Sequence, residues 1–183
     1  YLTFDDGPTP EVTEWTLNEL QKHNAKATFF CIGKNIEANP SIFKKVIDQG
    51  HSVGNHTYNH LKGWKTPTEI YIKNTLQTEQ LILEKSGKKP RWFRPPYGQI
   101  TFKQSRKLRK IGYKIVMWDV LSADFDNNIS QQKCLENVLK NTTCGSVIVF
   151  HDSVKASKNM QFVLPKILKY FNSKNYKFKV LPE

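Results

Sequence analysis

Short runs of β-branched and aromatic residues alternate along this chain with longer segments of helical period, and this alternation restricts the fold more than any single motif. The runs are "YLTF", "ATFFCIG", "HSVGNH", "PRWFRPP", "YKIVMWDV", "SVIVFHD" and the terminal "YKFKVLP". Between them lie "TEWTLNELQKHN", "PSIFKKVIDQG", "TPTEIYIKNTLQTEQLILEKSG", "TFKQSRKLRKIG", "SQQKCLENVLKN" and "MQFVLPKILKYFNSKN". In the third of these, Ile70, Thr75, Leu76, Leu81 and Leu83 recur at roughly helical spacing and Gly87 marks the stop. Seven strands alternating with six helices predict βα units and a parallel sheet. The runs are almost continuously apolar, which suits strands covered on both faces. A closed barrel and an open doubly wound sheet both fit, and both place their site at the carboxyl ends of the strands. At 183 residues one core suffices, so a single domain over residues 1–183 is expected.

Titratable residues collect at those strand ends. Asp5 and Asp6 follow the first run, His56 and His60 the third, and Arg94 and Tyr97 end the fourth. Asp119 and Asp124 follow the fifth, and His151 with Asp152 closes the sixth. Loops of about 2 to 6 residues join such units, and folding alone does not need them rich in titratable groups. Five strand ends therefore converge on one candidate site.

The formal charge of +12 admits nucleic acid, a membrane surface or an anionic polymer as partner. The lysines are spread through "SIFKK", "EKSGKK", "KQSRKLRK" and "NSKNYKFK", with no zinc-finger, RNP or helix-turn-helix signature beside them. A solvated basic surface is the reading, and no specific nucleic acid is expected. Cys31, Cys134 and Cys144 form neither a disulfide framework nor a C-x-x-C pair, and Cys31 reads as a small buried hydrophobe. No apolar run is long enough to span a bilayer. The chain begins inside a strand without Met. If an upstream signal or anchor was trimmed, the cell envelope, the periplasm or secretion is the expected location. A monomer is favoured, with no feature that decides it.

"TFDDG" carries an apolar strand straight into two adjacent acids. Neighbouring carboxylates raise each other's cost of ionisation unless a cation lies near, so the pair asks for a metal, an arginine or both. "NHTYNH" sets His56 and His60 four residues apart, which in a helical turn points both imidazoles to one side. Two His and one carboxylate leave a divalent ion open positions for water and substrate, as in catalytic zinc sites. Asp6 is the natural third ligand. Alone, H-x-x-x-H fits two surface histidines equally well; beside "TFDDG" the metal reading prevails. N-x-[ST] matches occur at Asn55, Asn128 and Asn141, and a glycan on Asn55 would obstruct this site, so they are read as chance.

In this order, "TFDDG", "HTYNH", "RPPYG", "WDVLSADF" and "VIVFHD" resemble the five motifs of the polysaccharide deacetylases, the NodB-homology domain of carbohydrate esterase family 4. The resemblance runs from Thr3 to past His151. It implies an α/β fold, a distorted (β/α) barrel of about seven parallel strands with outer helices, similar to a TIM barrel. It implies one catalytic domain, a metal-dependent hydrolase that removes N-acetyl groups from N-acetylglucosamine-containing polymers or oligosaccharides such as peptidoglycan or chitin. The implied cofactor is one divalent ion, zinc first, with cobalt or nickel as alternatives.

Carried over to this sequence, the resemblance makes Asp5 the general base and Asp6, His56 and His60 the metal ligands. Arg94 would pair with Asp5 and keep it ionised. The backbone N–H of Tyr97 would receive the oxyanion, on a loop stiffened by Pro95 and Pro96. His151 would be the general acid, its ring held by Asp124. The fourth motif departs from the family's D-x-x-D-W: "LSADF" places Leu121 at the first acid and Phe125 at the Trp. Phe125 can still offer an aromatic wall to a sugar, so the departure bears on substrate choice more than on catalysis. Asp119 and Asp126 read as solvated loop residues, Asp152 as a loop cap, His51 as structural and His23 as surface. Two rival functions share the motifs: an O-acetyl esterase acting on a polysaccharide such as xylan, and an inactive module that holds a carbohydrate or anionic polymer.

Overall fold

A computed structural model describes residues 1–182 of the chain. Its first strand shows how sequence becomes architecture. In β1 (Leu2–Asp6), Leu2 and Phe4 enter the main core, whereas Thr3 and Asp5 point to the opposite side and meet the Arg94 guanidinium. Alternation along a strand thus sends apolar residues outward to the helices and polar ones into the barrel. In β2 (Ala27–Cys31) every residue is buried, as its unbroken apolar run predicts. The remaining strands are β3 (Ser52–Asn55), β4 (Trp92–Phe93), β5 (Lys114–Ile115), β6 (Val120–Leu121) and β7 (Ile148–His151).

All neighbours pair in parallel, in the order β5-β4-β3-β2-β1-β7-β6. The two edge strands, β5 and β6, are consecutive in sequence and joined only by residues 116–119. Five Cα steps reach at most about 18 Å, while a flat seven-stranded sheet would be about 29 Å wide. The sheet must therefore curl until its edges approach. Arg94 fills the curl: it is fully buried, its Nε donates to the Val116 carbonyl at 3.2 Å and its Nη2 to that of Met117 at 2.9 Å. Its guanidinium lies 4.2 Å from the centre of the Phe30 ring. The result is a distorted half-barrel ringed by helices, as the resemblance implies.

The helices are α1 (Val12–Lys22), α2 (Gly33–Ala38), α3 (Pro40–Asp48), α4 (Thr68–Ser86), α5 (Phe102–Lys110), α6 (Gln131–Asn141) and α7 (Val154–Ser173). Leu17, Leu20, Val46, Val138, Met160, Leu164 and Leu168 from four of them pack on the outward residues of the central strands. The glycine of β3 is required by this packing, because a Cβ on Gly54 would fall 2.5 Å from the Phe30 ring.

Several expectations are corrected. The fifth run makes two short strands on opposite edges, since residues 116–119 serve as the crossing. The terminal run adds no strand: Tyr176 and Phe178 are drawn onto Phe171 of α7, and Leu181 packs with Phe30 and Trp92 while its N–H donates to the Thr28 hydroxyl at 3.0 Å. Among the described residues there are seven α-helices, not six, because α2 precedes α3 in a segment for which no helix was expected. On α4 the buried face is Tyr71, Asn74, Thr75, Thr78 and Ile82, while Ile70, Leu76 and Leu83 are exposed. Gly87 ends that helix in the left-handed conformation at φ 70, as predicted. All three cysteines are free: Cys31 and Cys134 are buried and Cys144 is exposed.

Candidate active site

The polar face of α4 explains the histidine motif. Residues 56–60 form no helix; they make an irregular turn in which Thr57 (φ 61) and His60 (φ 55) adopt left-handed conformations. The turn is held by amide side chains. Asn55 Oδ1 accepts the Thr57 N–H at 2.9 Å, and Asn74 Oδ1 on α4 accepts those of Tyr58 and Asn59 at 2.8 and 3.0 Å. The expected convergence of His56 and His60 is thus met on a different backbone from the predicted helical turn, with ring centres 5.0 Å apart. Asn55 is itself fully buried and donates to Thr75 and Tyr113, so its side chain is already engaged within the fold.

Register brings Asp6 to the same place. β1 lies beside β2 with Asp6 opposite Cys31, and Cys31 lies opposite Asn55 of β3, so His56 follows one step beyond. Asp6 Oδ1 is 3.3 Å from His60 Nε2 and 3.9 Å from His56 Nε2. One donor atom from each of the three residues falls within 4.8 Å of the other two. The Asp6 Oδ1 is buried without a hydrogen-bond partner, a state that costs free energy unless something occupies the gap. His56 Nδ1 lies 2.7 Å from the Arg94 carbonyl, which can only accept; the ring must therefore carry its proton on Nδ1 and present a lone pair at Nε2. Burial lowers the pKa of both histidines to about 4, so both are neutral near pH 7. Burial raises that of Asp6. Two imidazole lone pairs and one unpartnered carboxylate oxygen are the donor set of a divalent cation such as zinc, and the residues fit it.

Asp5 is treated oppositely by its surroundings. It is 3% exposed, and its Oδ1 accepts from Arg94 Nη1 at 2.8 Å. Burial opposes its charge, but neighbouring cationic groups, Arg94 first, more than offset this and hold its pKa below the usual carboxylate value. A carboxylate that is ionised and buried is the outcome.

His151 is the direct partner of Asp5 across the β1/β7 pair. Its Nδ1 lies 2.8 Å from Asp124 Oδ1, and its backbone N–H donates to Asp124 Oδ2 at 2.8 Å. Burial works against a charged ring, yet Asp124, with Asp5 and Asp6 behind it, raises the pKa to about 9. The imidazole is therefore protonated at neutral pH. Asp124 is fully buried and takes a further bond from the Ser122 hydroxyl at 3.0 Å; Ser122 adjoins Leu121, whose side chain lies exposed on β6. The Phe125 ring stands edge-on to His151 with centres 5.0 Å apart.

Tyr97 stands on the other side, its ring 4.5 Å from that of His60. Its backbone is left-handed at φ 59, held between Pro95, Pro96 and Gly98 in a single turn of 3-10 helix. Left-handed non-glycine residues concentrate here, with Asp6, Thr57, His60, Tyr97 and Ala123 all among them, as strained backbone does at functional sites.

Sequence reasoning missed the supports. Asn55 and Asn74 hold the histidine turn, and Thr3 shares Arg94 with Asp5 through a 2.7 Å bond. Asp152 accepts from the Gly7 N–H at 3.0 Å and the Thr13 hydroxyl at 2.5 Å, which ties β7 to the turn carrying Asp6. It is the expected cap, with its pKa raised by burial to about 8. Of the acids read as solvated, Asp119 accepts from the Val147 N–H and Asp126 from that of Asn128. His51 accepts from the Ala27 N–H and is structural, whereas His23 is only half-exposed beside Glu19 and Asn172.

Residues 1–116 match the family described as polysaccharide deacetylase. A peptidoglycan-N-acetylglucosamine deacetylase of Bacillus cereus is 37% identical over 182 residues, covering 99% of this chain and 66% of the relative. Chitin deacetylase 2 of Saccharomyces cerevisiae is 31% identical over 172 residues, covering 91% of this chain and 54% of the relative. The chain thus spans less than two thirds of the length of either. Among solved structures, the Bc1960 peptidoglycan N-acetylglucosamine deacetylase, in complex with 4-naphthalen-1-yl-N-oxidanyl-benzamide, superposes with a TM-score of 0.94 at 36% identity. It covers 99% of this chain and 85% of that one.

Proposed function

The chain belongs to the polysaccharide deacetylase family, and from that premise we propose that it is a metal-dependent hydrolase of N-acetyl groups on an N-acetylglucosamine-containing glycan. Peptidoglycan or a chitin-like chain is the substrate class, because relatives of both kinds align along nearly the whole chain. The observation that carries the reading is the buried, unpartnered oxygen of Asp6 between two neutral imidazoles, one residue from an ionised Asp5 held by Arg94. Residues 1–183 act as one catalytic domain in this proposal.

Asp6, His56 and His60 would hold the ion. Bound there, a divalent cation lowers the pKa of water and polarises an acetyl carbonyl. Asp5 takes the proton of the attacking water, and Arg94 keeps that carboxylate ionised beforehand. The backbone N–H of Tyr97 receives the oxyanion of the tetrahedral intermediate. Collapse must expel an amine, and an amide anion leaves poorly; the protonated His151, oriented by Asp124, supplies the proton. Phe125 offers the sugar an aromatic wall beside that acid. A binding module would have no use for a base and an acid poised in opposite protonation states. The basic surface suits an anionic wall polymer.

The test is acetate release from N-acetylglucosamine oligomers by metal-stripped protein, with and without added zinc. Turnover only with metal is expected. Zinc binding without turnover on these or on acetylated xylan would leave the binding-module reading standing.

A further inference from the structure

Four residues past the histidine motif, Trp64 is 66% exposed, yet it is held firmly. Its indole N–H donates to the Ile100 carbonyl at 3.2 Å, which leaves the ring with its polar edge satisfied. The 3-10 turn that carries it (Gly63–Lys65) is pinned at both ends by one buried side chain: Gln104 Nε2 donates to the Gly63 carbonyl at 2.8 Å and to that of Thr66 at 3.0 Å. Gly63 lies so close to the following loop that a Cβ there would be 2.2 Å from the Gln99 carbonyl oxygen. The fold therefore fixes a large apolar ring and still leaves it in water. Core packing does not account for that arrangement.

Trp64 is continuous with the candidate active site. His60 touches the Tyr97 ring, the Lys62 ammonium sits 4.7 Å from the centre of the same ring, and Trp64 follows Lys62 by two positions. We infer that Trp64 is a sugar-stacking subsite that holds a pyranose unit of the glycan beyond the one whose acetyl group reacts. The C–H groups on one face of a pyranose form an apolar surface that suits an indole face, and a ring already fixed in place loses little entropy on binding. Lys62, between Tyr97 and Trp64, can donate to the hydroxyl or carboxylate oxygens of a sugar spanning them. The site then favours chains over single sugars. This rests on the deacetylase reading for its choice of ligand.

The experiment compares wild type, W64A and W64F, loaded with zinc, on N-acetylglucosamine dimers and pentamers. It reads acetate release and quenching of tryptophan fluorescence. W64A removes an exposed ring and should keep the wild-type melting temperature and kcat. Its KM for the pentamer should rise about tenfold, the size of one lost aromatic contact, with the dimer KM unchanged and W64F between. Pentamer quenching present in wild type and absent in W64A is the direct signature. Equal KM changes on dimer and pentamer, or quenching unaltered by W64A, overturns the subsite. If wild type releases no acetate while the Trp64-dependent quenching persists, the catalytic reading fails and the subsite stands.

Discussion

Asp124 grips His151 at two points, with Oδ1 on the ring Nδ1 and Oδ2 on the backbone N–H, each at 2.8 Å. The pair fixes the ring and its charge together. The folded-state pKa of about 9 stands above the ordinary 6.5, so the imidazolium is kept up to alkaline pH. By linkage, the stability it adds is fully present below about 6.5 and is lost as pH rises through about 9. In D124N the alkaline limb of kcat should move from near 9 toward 6.5, with loss of at least about tenfold at pH 8 and much less at pH 6. An unshifted limb in the pH–rate profile would separate His151 from the acid step.

The leaving group decides how much His151 matters. An alkoxide departs from an ester with less help than an amine from an amide. H151A should therefore lose about 10²- to 10⁴-fold on N-acetyl substrates and distinctly less on O-acetyl xylan. Equal losses on the two substrates, by initial rates of acetate release, would argue that His151 does not act through protonation.

Arg94 supports Asp5 and the barrel at once. It is fully buried and bonds Thr3, Asp5 and the carbonyls of Val116 and Met117. R94M should strand a buried carboxylate and destabilise the fold by about 3–5 kcal/mol in urea unfolding. R94K keeps a charge without the planar fork and should fall between R94M and wild type. A midpoint for R94M near that of wild type would mean that Asp5 draws its ionisation from elsewhere.

The parts of the site visible in the sequence were those whose chemistry is carried by residue type. Asp5, Asp6, His56, His60, Arg94 and His151 follow β-forming runs, and parallel pairing must gather such ends at one rim. What escaped was carried by neutral residues acting through geometry. Asn74 lies on a helix whose apolar spacing was carried by Ile70 and Leu76, yet these are exposed, and the buried face includes Asn74, whose amide oxygen accepts from the histidine turn. Residues 116–119 read as continuous strand because Val116 and Met117 are apolar; only the closure of the barrel requires them to cross between edges. The terminal aromatics showed strand character without revealing that Phe171 competes for them.

Asp5 and Asp6 are adjacent in sequence and divided in environment, which makes their substitution the sharpest test of the site. Asp5 already has Arg94 on one oxygen, whereas Asp6 Oδ1 is buried without a partner 3.3 Å from His60. Removing charge from Asp6 takes away a ligand, and removing it from Asp5 leaves the three donors in place. D6N should weaken zinc binding by at least about 100-fold in calorimetric titration. D5N should hold zinc within about tenfold of wild type, because partners outside the ligand set tune affinity by about 10- to 100-fold at most. Turnover should vanish in both. If D5N lost zinc as fully as D6N, both carboxylates would have to be ligands, and the proton of the attacking water would need another acceptor. If instead D6N kept zinc, the unpartnered oxygen would be a structural defect rather than a vacant ligand position, and two imidazoles alone would have to hold the ion.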